Sequence, residues 1–311
     1  MSKRIFVLFL ALSLLLIFPA LATKVDKDAL EATHVLIGKV KSVDSYYDSN
    51  KWGDTLIYSQ VGIKVEKKLK GEIEDFVDFI VEGGTVGEIT LKVSEYPLFT
   101  EGEKVKLYLK KTDHIFKFMY SETIEDEEAL AKKGGKPGAP ACCKTFARWL
   151  NTDVLYHINP ANNDVSGNCA VGDIVDGAGA WNSACKINLI YDKSPGAGTV
   201  APNYINDIFF RPESSGSTIA VTYTWYYRKT REIIEFDMVF YDGAWKFFGL
   251  HCDGGCFQGF YIQTIATHEL GHAIGIDHNR CTTSIMYPYA SYCETNALSA
   301  EDAACASSLY K

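Results

Sequence analysis

Along residues 34–109 short apolar segments alternate with polar positions at a period of two. The segments 34–43 (HVLIGKVKSV), 55–65 (TLIYSQVGIKV), 76–82 (FVDFIVE), 89–93 and 104–109 are rich in β-branched and aromatic residues. Turn-forming pieces such as Asp48-Ser49-Asn50 and Gly83-Gly84 separate them, so the pattern predicts a small all-β domain, a barrel or sandwich. The alternation stops over 121–141, where SETIEDEEALAKKGGKPGAPA begins acidic and ends rich in Gly and Pro. Such a stretch cannot pack a core and reads as an exposed linker, the kind of segment proteases cut. Beyond it the pattern changes to mixed elements. Strands are expected over 153–158, 187–191 and 207–210, and a hairpin from 217–227 and 232–240. Helices are expected over about 170–184, 258–274 and 299–310. The last helix has Ser299 as N-cap and Asp302 three residues on, close to a capping box.

With 311 residues the chain is long enough for two ordinary domains. Residues 1–22 carry Lys3 and Arg4, an apolar run over 5–18 and then Ala20-Leu21-Ala22, the layout of a cleaved signal peptide. That run is shorter than the roughly 20 residues a spanning helix needs, and no later stretch is long and apolar enough. The expectation is a secreted, extracellular protein with no membrane anchor after signal cleavage. The division expected is 1–22 signal peptide, 23–120 β domain, 121–141 linker and 142–311 second domain. Thirty-one Lys and Arg against 39 Asp and Glu leave a net charge of −8, the wrong sign for holding nucleic acid or an anionic membrane. All nine cysteines follow residue 141. In an exported protein they are expected to form disulfides, with at least one unpaired in a monomer.

The chemistry concentrates in Thr267-His268-Glu269-Leu270-Gly271-His272-Ala273-Ile274-Gly275-Ile276-Asp277-His278. Four residues make about one helical turn, so His268 and His272 share a face and can meet one metal ion. Glu269, rotated by about 100°, can reach a water on that ion. Gly275 permits a positive φ and lets the chain leave the helix, bringing His278 round as third ligand. Three neutral nitrogens leave a coordination position open, which a catalytic zinc needs and a structural zinc lacks.

This HExxHxxGxxH segment resembles the zinc-binding consensus of the metzincin metallopeptidases, and its surroundings are most similar to the matrixin branch. Met286, in Ser284-Ile285-Met286-Tyr287-Pro288, resembles the Met-turn under the zinc of that clan. Asn206-Asp207-Ile208, 235–240 (EFDMVF) and 298–302 (LSAED) extend the likeness over nearly all of 143–311. The resemblance implies an α+β fold: a metzincin/matrixin-like domain with a twisted, mostly parallel five-stranded sheet and three helices. The N-terminal part is similar to the small β-barrel found ahead of some secreted metallopeptidases and to the OB barrel of tissue inhibitors of metalloproteinases. One catalytic Zn2+ is implied, held by His268, His272 and His278, with Glu269 as general base.

In the family the edge strand, here 218–227, aligns extended protein or peptide substrates. A substrate pocket is implied at Pro288, Tyr289 and Tyr292. Ca2+ is implied as a second cation where Asp237 and Asp242 stand. Latency through a propeptide thiol has Cys142 or Cys143 as its candidate, although Pro140-Ala141-Cys142-Cys143 departs from the family's motif. Disulfide pairing of these two to the catalytic domain is the competing reading. Other pairings are expected within Cys252–Cys256 and among Cys281, Cys293 and Cys305.

The function expected is a secreted zinc endopeptidase. The alternative is a protein-binding or inhibitory module in which the β domain carries the function and the zinc domain is latent or a narrow processing peptidase. Intramolecular regulation by the N-terminal domain belongs to both.

Overall fold

The structure, a computed structural model, describes residues 31–113, 115–124, 142–213, 216–252 and 255–311. The expected signal peptide, 1–22, and residues 125–141 of the expected linker lie outside them. Strands β1 (His34–Ser49), β2 (Thr55–Lys70), β3 (Phe76–Glu82), β6 (Lys104–Thr112) and β7 (Ile115–Thr123) close a barrel in the order β1-β2-β3-β7-β6. Neighbours are antiparallel except β3 and β7. Strict alternation makes the interior: Val77, Phe79 and Val81 point in from β3 while Phe76 and Ile80 face solvent, as a period of two demands. β7 was not anticipated, and it runs to Thr123, three residues into the expected linker.

The second body is a sheet in the order β4-β5-β11-β12-β10-β8-β9. Five of its strands come from the C-terminal half: β8 (Asp153–Asn159), β9 (Asn188–Tyr191), β10 (Asp207–Phe210), β11 (Ala220–Tyr227) and β12 (Ile233–Phe240). They are mutually parallel except for β11, which runs antiparallel to β12. A two-stranded ladder, β13 (Phe247–Phe248) with β14 (Phe260–Tyr261), stands apart. Three helices are present among the described residues: α1 (Gly167–Ala184), α2 (Ile262–Ala273) and α3 (Ala300–Leu309). They pack through Trp181, Ala266, Leu270 and Ala306 in one cluster with Phe236 and Met238 of the sheet. Ser166 caps α1 by accepting from the Cys169 amide, and Ser299 with Asp302 forms a complete capping box on α3, satisfying amides that a helix N-terminus leaves unpaired.

The sheet has seven strands because β4 (Gly84–Val86) and β5 (Ile89–Val93) leave the barrel, β5 pairing with β11 and β4 with the outer side of β5. From its pattern alone, 89–93 belongs to the N-terminal β domain. The reason for the difference is burial on both faces: Leu91 and Val93 are fully buried with Leu56, Val221, Tyr223, Trp225 and Val239, and Thr90 and Lys92 are buried on the other side. A second junction joins the halves where Asp54, at the β1–β2 turn, meets Arg211 after β10.

Disulfides link Cys142 to Cys281, Cys143 to Cys305, Cys169 to Cys252 and Cys256 to Cys293, leaving Cys185 unpaired. This corrects the expected pairings, since Cys252 and Cys256 bind different partners and Cys281, Cys293 and Cys305 do not bind one another. It also removes the latency role of Cys142 and Cys143, because a sulfur in a disulfide has no thiolate to offer a metal.

Candidate active site

Helix α2 presents His268 and His272 on one face, as a spacing of four requires. Gly275 then turns the chain with φ of 93°. A Cβ there would sit 2.1 Å from the Ala147 carbonyl oxygen, so both the backbone angle and the space restrict the position to glycine. Past this turn His278 comes back to the helix. The Nε2 atoms of His268 and His278 are 3.1 Å apart, and those of His272 and His268 3.2 Å.

Each helical imidazole is oriented from behind. His268 Nδ1 lies 2.6 Å from the Ile285 carbonyl and His272 Nδ1 2.8 Å from the Ile276 carbonyl. A carbonyl can only accept, so each Nδ1 carries the proton and each Nε2 presents a bare lone pair. Two lone pairs at such a distance repel unless a cation lies between them. Four-coordinate zinc with Zn–N of about 2.0–2.1 Å needs nitrogens about 3.3 Å apart, so the donor set fits that ion. The triad is the sole group of three or more potential metal-ligating side chains gathered this closely among the described residues. Burial lowers the pKa of His268, and burial together with the neighbouring His278 and His268 holds that of His272 well below the ordinary value. Neutral imidazoles are the form that binds metal.

Glu269 is buried, and its Oε2 accepts a hydrogen bond from the Thr222 hydroxyl at 2.7 Å. Sequence reasoning missed Thr222. Its signal is a polar side chain, alternating with Thr224, inside an otherwise apolar and aromatic strand.

Met286 is fully buried, and its sulfur lies where a Cβ on Gly271 would approach to 2.2 Å. Helix and methionine thus fit together only because residue 271 has no side chain. The loop bearing Met286 is tied down by Asp302, which accepts from the Ser284 hydroxyl and, at 2.9 Å, from the Ile285 amide. The Met286 amide donates to Ser284 Oγ at 3.0 Å. Asp302 therefore serves both the α3 cap and the loop carrying the Ile285 carbonyl that orients His268, a connection the capping pattern alone did not disclose.

The pocket candidates separate. Tyr289 packs edge-on against Tyr287 with ring centroids 5.2 Å apart, and Pro288 between them is half-buried. Tyr292 packs instead on Phe260 and Trp245 and stays largely exposed. Asp237 and Asp242, the calcium candidates, engage backbone amides: Asp237 accepts from Ala201 and Asp207, Asp242 from Asn163. The N-terminal half also enters the site, as Lys92 of β5 pairs at 3.6 Å with Asp277, the residue before His278. Burial alone would raise the Asp277 pKa, but the charges of Lys92 and Lys144 bring it below the ordinary value.

Three convergent imidazoles on a helix and its following turn, a carboxylate beside the first of them and a buried methionine nearby form the arrangement expected of a metzincin-type metal site. The chain belongs to the matrixin family, whose family model (Matrixin) matches residues 148–311. Matrixins are zinc-dependent metalloendopeptidases. The chain is similar to matrix metalloproteinase-19 of Mus musculus, 42% identical over 57 residues, 18% of this chain and 11% of the relative. It is also similar to macrophage metalloelastase of Rattus norvegicus, 45% over 56 residues (17% and 12%). Matrix metalloproteinase-9 of Canis lupus familiaris matches at 40% over 45 residues (14% and 6%). The matched stretches span between 6% and 12% of the length of these relatives.

Proposed function

We propose that the chain is an exported zinc endopeptidase that hydrolyses peptide bonds in extended segments of protein substrates. What carries this reading is the convergence of the His268, His272 and His278 Nε2 atoms one residue from a buried carboxylate. His268, His272 and His278 would hold a zinc ion, which would supply Lewis acidity toward water and a substrate carbonyl. Glu269 accepts the proton of the attacking water and returns it to the departing amine nitrogen. The Thr222 hydroxyl keeps Glu269 Oε2 oriented while it does so. His268 and His272 stay neutral, each oriented by the carbonyl behind it.

Pro288 and Tyr289 serve as the pocket wall in this reading, and Tyr292, turned onto Phe260, is left out of it. Calcium is left out as well, because Asp237 and Asp242 are not gathered with other ligating side chains into a metal-holding group among the described residues. Export is supported by the signal-like pattern of residues 1–22 and by the four disulfides. The N-terminal barrel, whose parallel β3–β7 pairing fits an OB-like order, is an accessory body, and its contact with β11 favours a latent or narrowly selective peptidase over an indiscriminate one.

The test is mass spectrometry of a denatured protein incubated with the zinc-loaded chain and with Glu269→Ala. Internal cleavage that disappears in the variant is expected. Cleavage undiminished by Glu269→Ala overturns the reading, as does silence from both wild type and a form with the β4–β5 hairpin released.

A further inference from the structure

An extended peptide binds a sheet by adding a strand to an edge whose amides and carbonyls are unpaired. Among the five strands of the C-terminal half, β11 is outermost on one side, and its Thr222 hydroxyl, which holds Glu269, places it beside the metal-site helix. One side of β11 is taken by β12 and the other by β5, with Tyr223 opposite Val93, Trp225 opposite Leu91 and Tyr227 opposite Ile89. The ladder continues past both ends of β5. The Arg228 amide donates to the Glu88 carbonyl at 2.8 Å, and the Ser94 amide to the Thr222 carbonyl at 2.9 Å. The Thr222 amide in turn donates to Ser94 Oγ at 3.0 Å. Antiparallel bonding alternates, so the outward amides of Thr224 and Tyr226 face β5 as well. The chain's own segment therefore reaches along β11 to the residue that orients the catalytic carboxylate.

This occupancy is anchored chemically. Lys92 is buried, donates to the carbonyls of Val93 and Tyr96, and pairs with Asp277 next to His278. Leu91 and Val93 are fully buried against Val221, Tyr223 and Trp225. Thr218, where the edge begins, donates to Glu95 at 3.4 Å.

We infer that the β4–β5 hairpin is a built-in competitor for substrate: residues 88–95 occupy the strand-addition site of β11, so the docked protein is latent and peptides gain access only when the hairpin leaves. This deepens the peptidase reading and rests on it for the identity of the substrate edge. A tethered strand competes at an effective concentration of about millimolar. Apparent affinity falls by the fraction of molecules with the edge open. A hairpin docked in more than nine molecules of ten thus weakens peptide binding by about tenfold or more.

The experiment uses the full zinc-loaded chain and Leu91→Asp, which places a charge in the apolar cluster that seats the hairpin and changes none of His268, Glu269, His272 and His278. The probe is an extended peptide ending in a hydroxamate, measured by calorimetry, with amide exchange followed in parallel. Both proteins should bind one zinc. The variant should bind the probe at least tenfold more tightly, and its Thr224 and Tyr226 amides should lose protection and regain it with probe. Equal affinities, with exchange showing the hairpin released in the variant, overturn the inference. So does rapid exchange of those two amides in resting wild type. If Leu91→Asp does not fold, Thr90→Pro removes an amide of β5 that alternation aims at β11 and serves in its place. A variant that binds the probe tightly yet cleaves no peptide leaves the hairpin inference standing and refutes the peptidase reading, so the two failures are distinguishable.

Discussion

Asp54→Ala tests how the two halves are held together. Asp54 is fully buried and Arg211 is 5% exposed. The guanidinium donates to both carboxylate oxygens at 2.8 and 2.9 Å. The same carboxylate accepts from the Val200 amide at 2.9 Å and from Asn50 Nδ2 at 2.8 Å. Removing it strands a buried positive charge, which costs about 3–5 kcal/mol. At about 1.4 kcal/mol per tenfold, local opening of the junction becomes more than about a hundredfold more frequent. The assay is amide exchange at Val200, which loses its acceptor, and at Thr55, whose amide donates to the Val200 carbonyl at 2.8 Å. Urea unfolding supplies the global value.

Adding Arg211→Met should recover most of the loss, because no charge then remains buried. Burial alone would raise the Asp54 pKa, but hydrogen bonds from Arg211, Val200 and Asn50 bring it below the ordinary value. The contribution is therefore present above the ordinary carboxylate pKa of about 4 and is lost as pH falls through the lower folded value. A change under about 1 kcal/mol, or a double variant as unstable as the single, would refute the assignment of this pair as a buried junction.

Two further outcomes follow from the packing. Gly271→Ala places a methyl 2.2 Å from Met286 Sδ and 2.9 Å from the Trp181 ring. It should cost about 1–3 kcal/mol and weaken zinc retention in a chelator competition, and unchanged retention would count against the fit described. Glu235 is buried, and its pKa is raised to about 7 by burial against the amide bonds of Asn203 and Tyr204. A raised folded value gives stability that is complete below the unfolded pKa of about 4.3 and lost as pH climbs through 7, roughly 3–4 kcal/mol in all. Melting temperature should thus fall from pH 5 to pH 8 and fall less in Glu235→Gln, with an identical slope disproving the role.

Much of the site was legible because its logic is local. The positions of His268, Glu269 and His272 follow from helical geometry, and Gly275 announces the turn that His278 needs. The capping pair Ser299–Asp302 was equally readable. Thr222 and the loop-binding role of Asp302 were not, since each acts across more than a dozen residues of sequence. Cysteine pairing escaped for the same reason: the partners stand 37 to 162 residues apart, and spacing carries no information about such distances.

The N-terminal half shows where the division falls. Alternation of polar and apolar residues by itself determined that 34–109 would be strands and that one face of each would be buried, because side-chain direction alternates along any strand. It also determined the helix, the triad and the glycine turn, all consequences of rules spanning a few residues. Only the tertiary structure decided which sheet each strand joined. Ile89–Val93 has the composition of a barrel strand, yet β11 offers it a full ladder and an apolar bed of Val221, Tyr223 and Trp225. Strand pairing is chosen by whichever edge buries both faces and satisfies the backbone, and that comparison cannot be made until the edges exist.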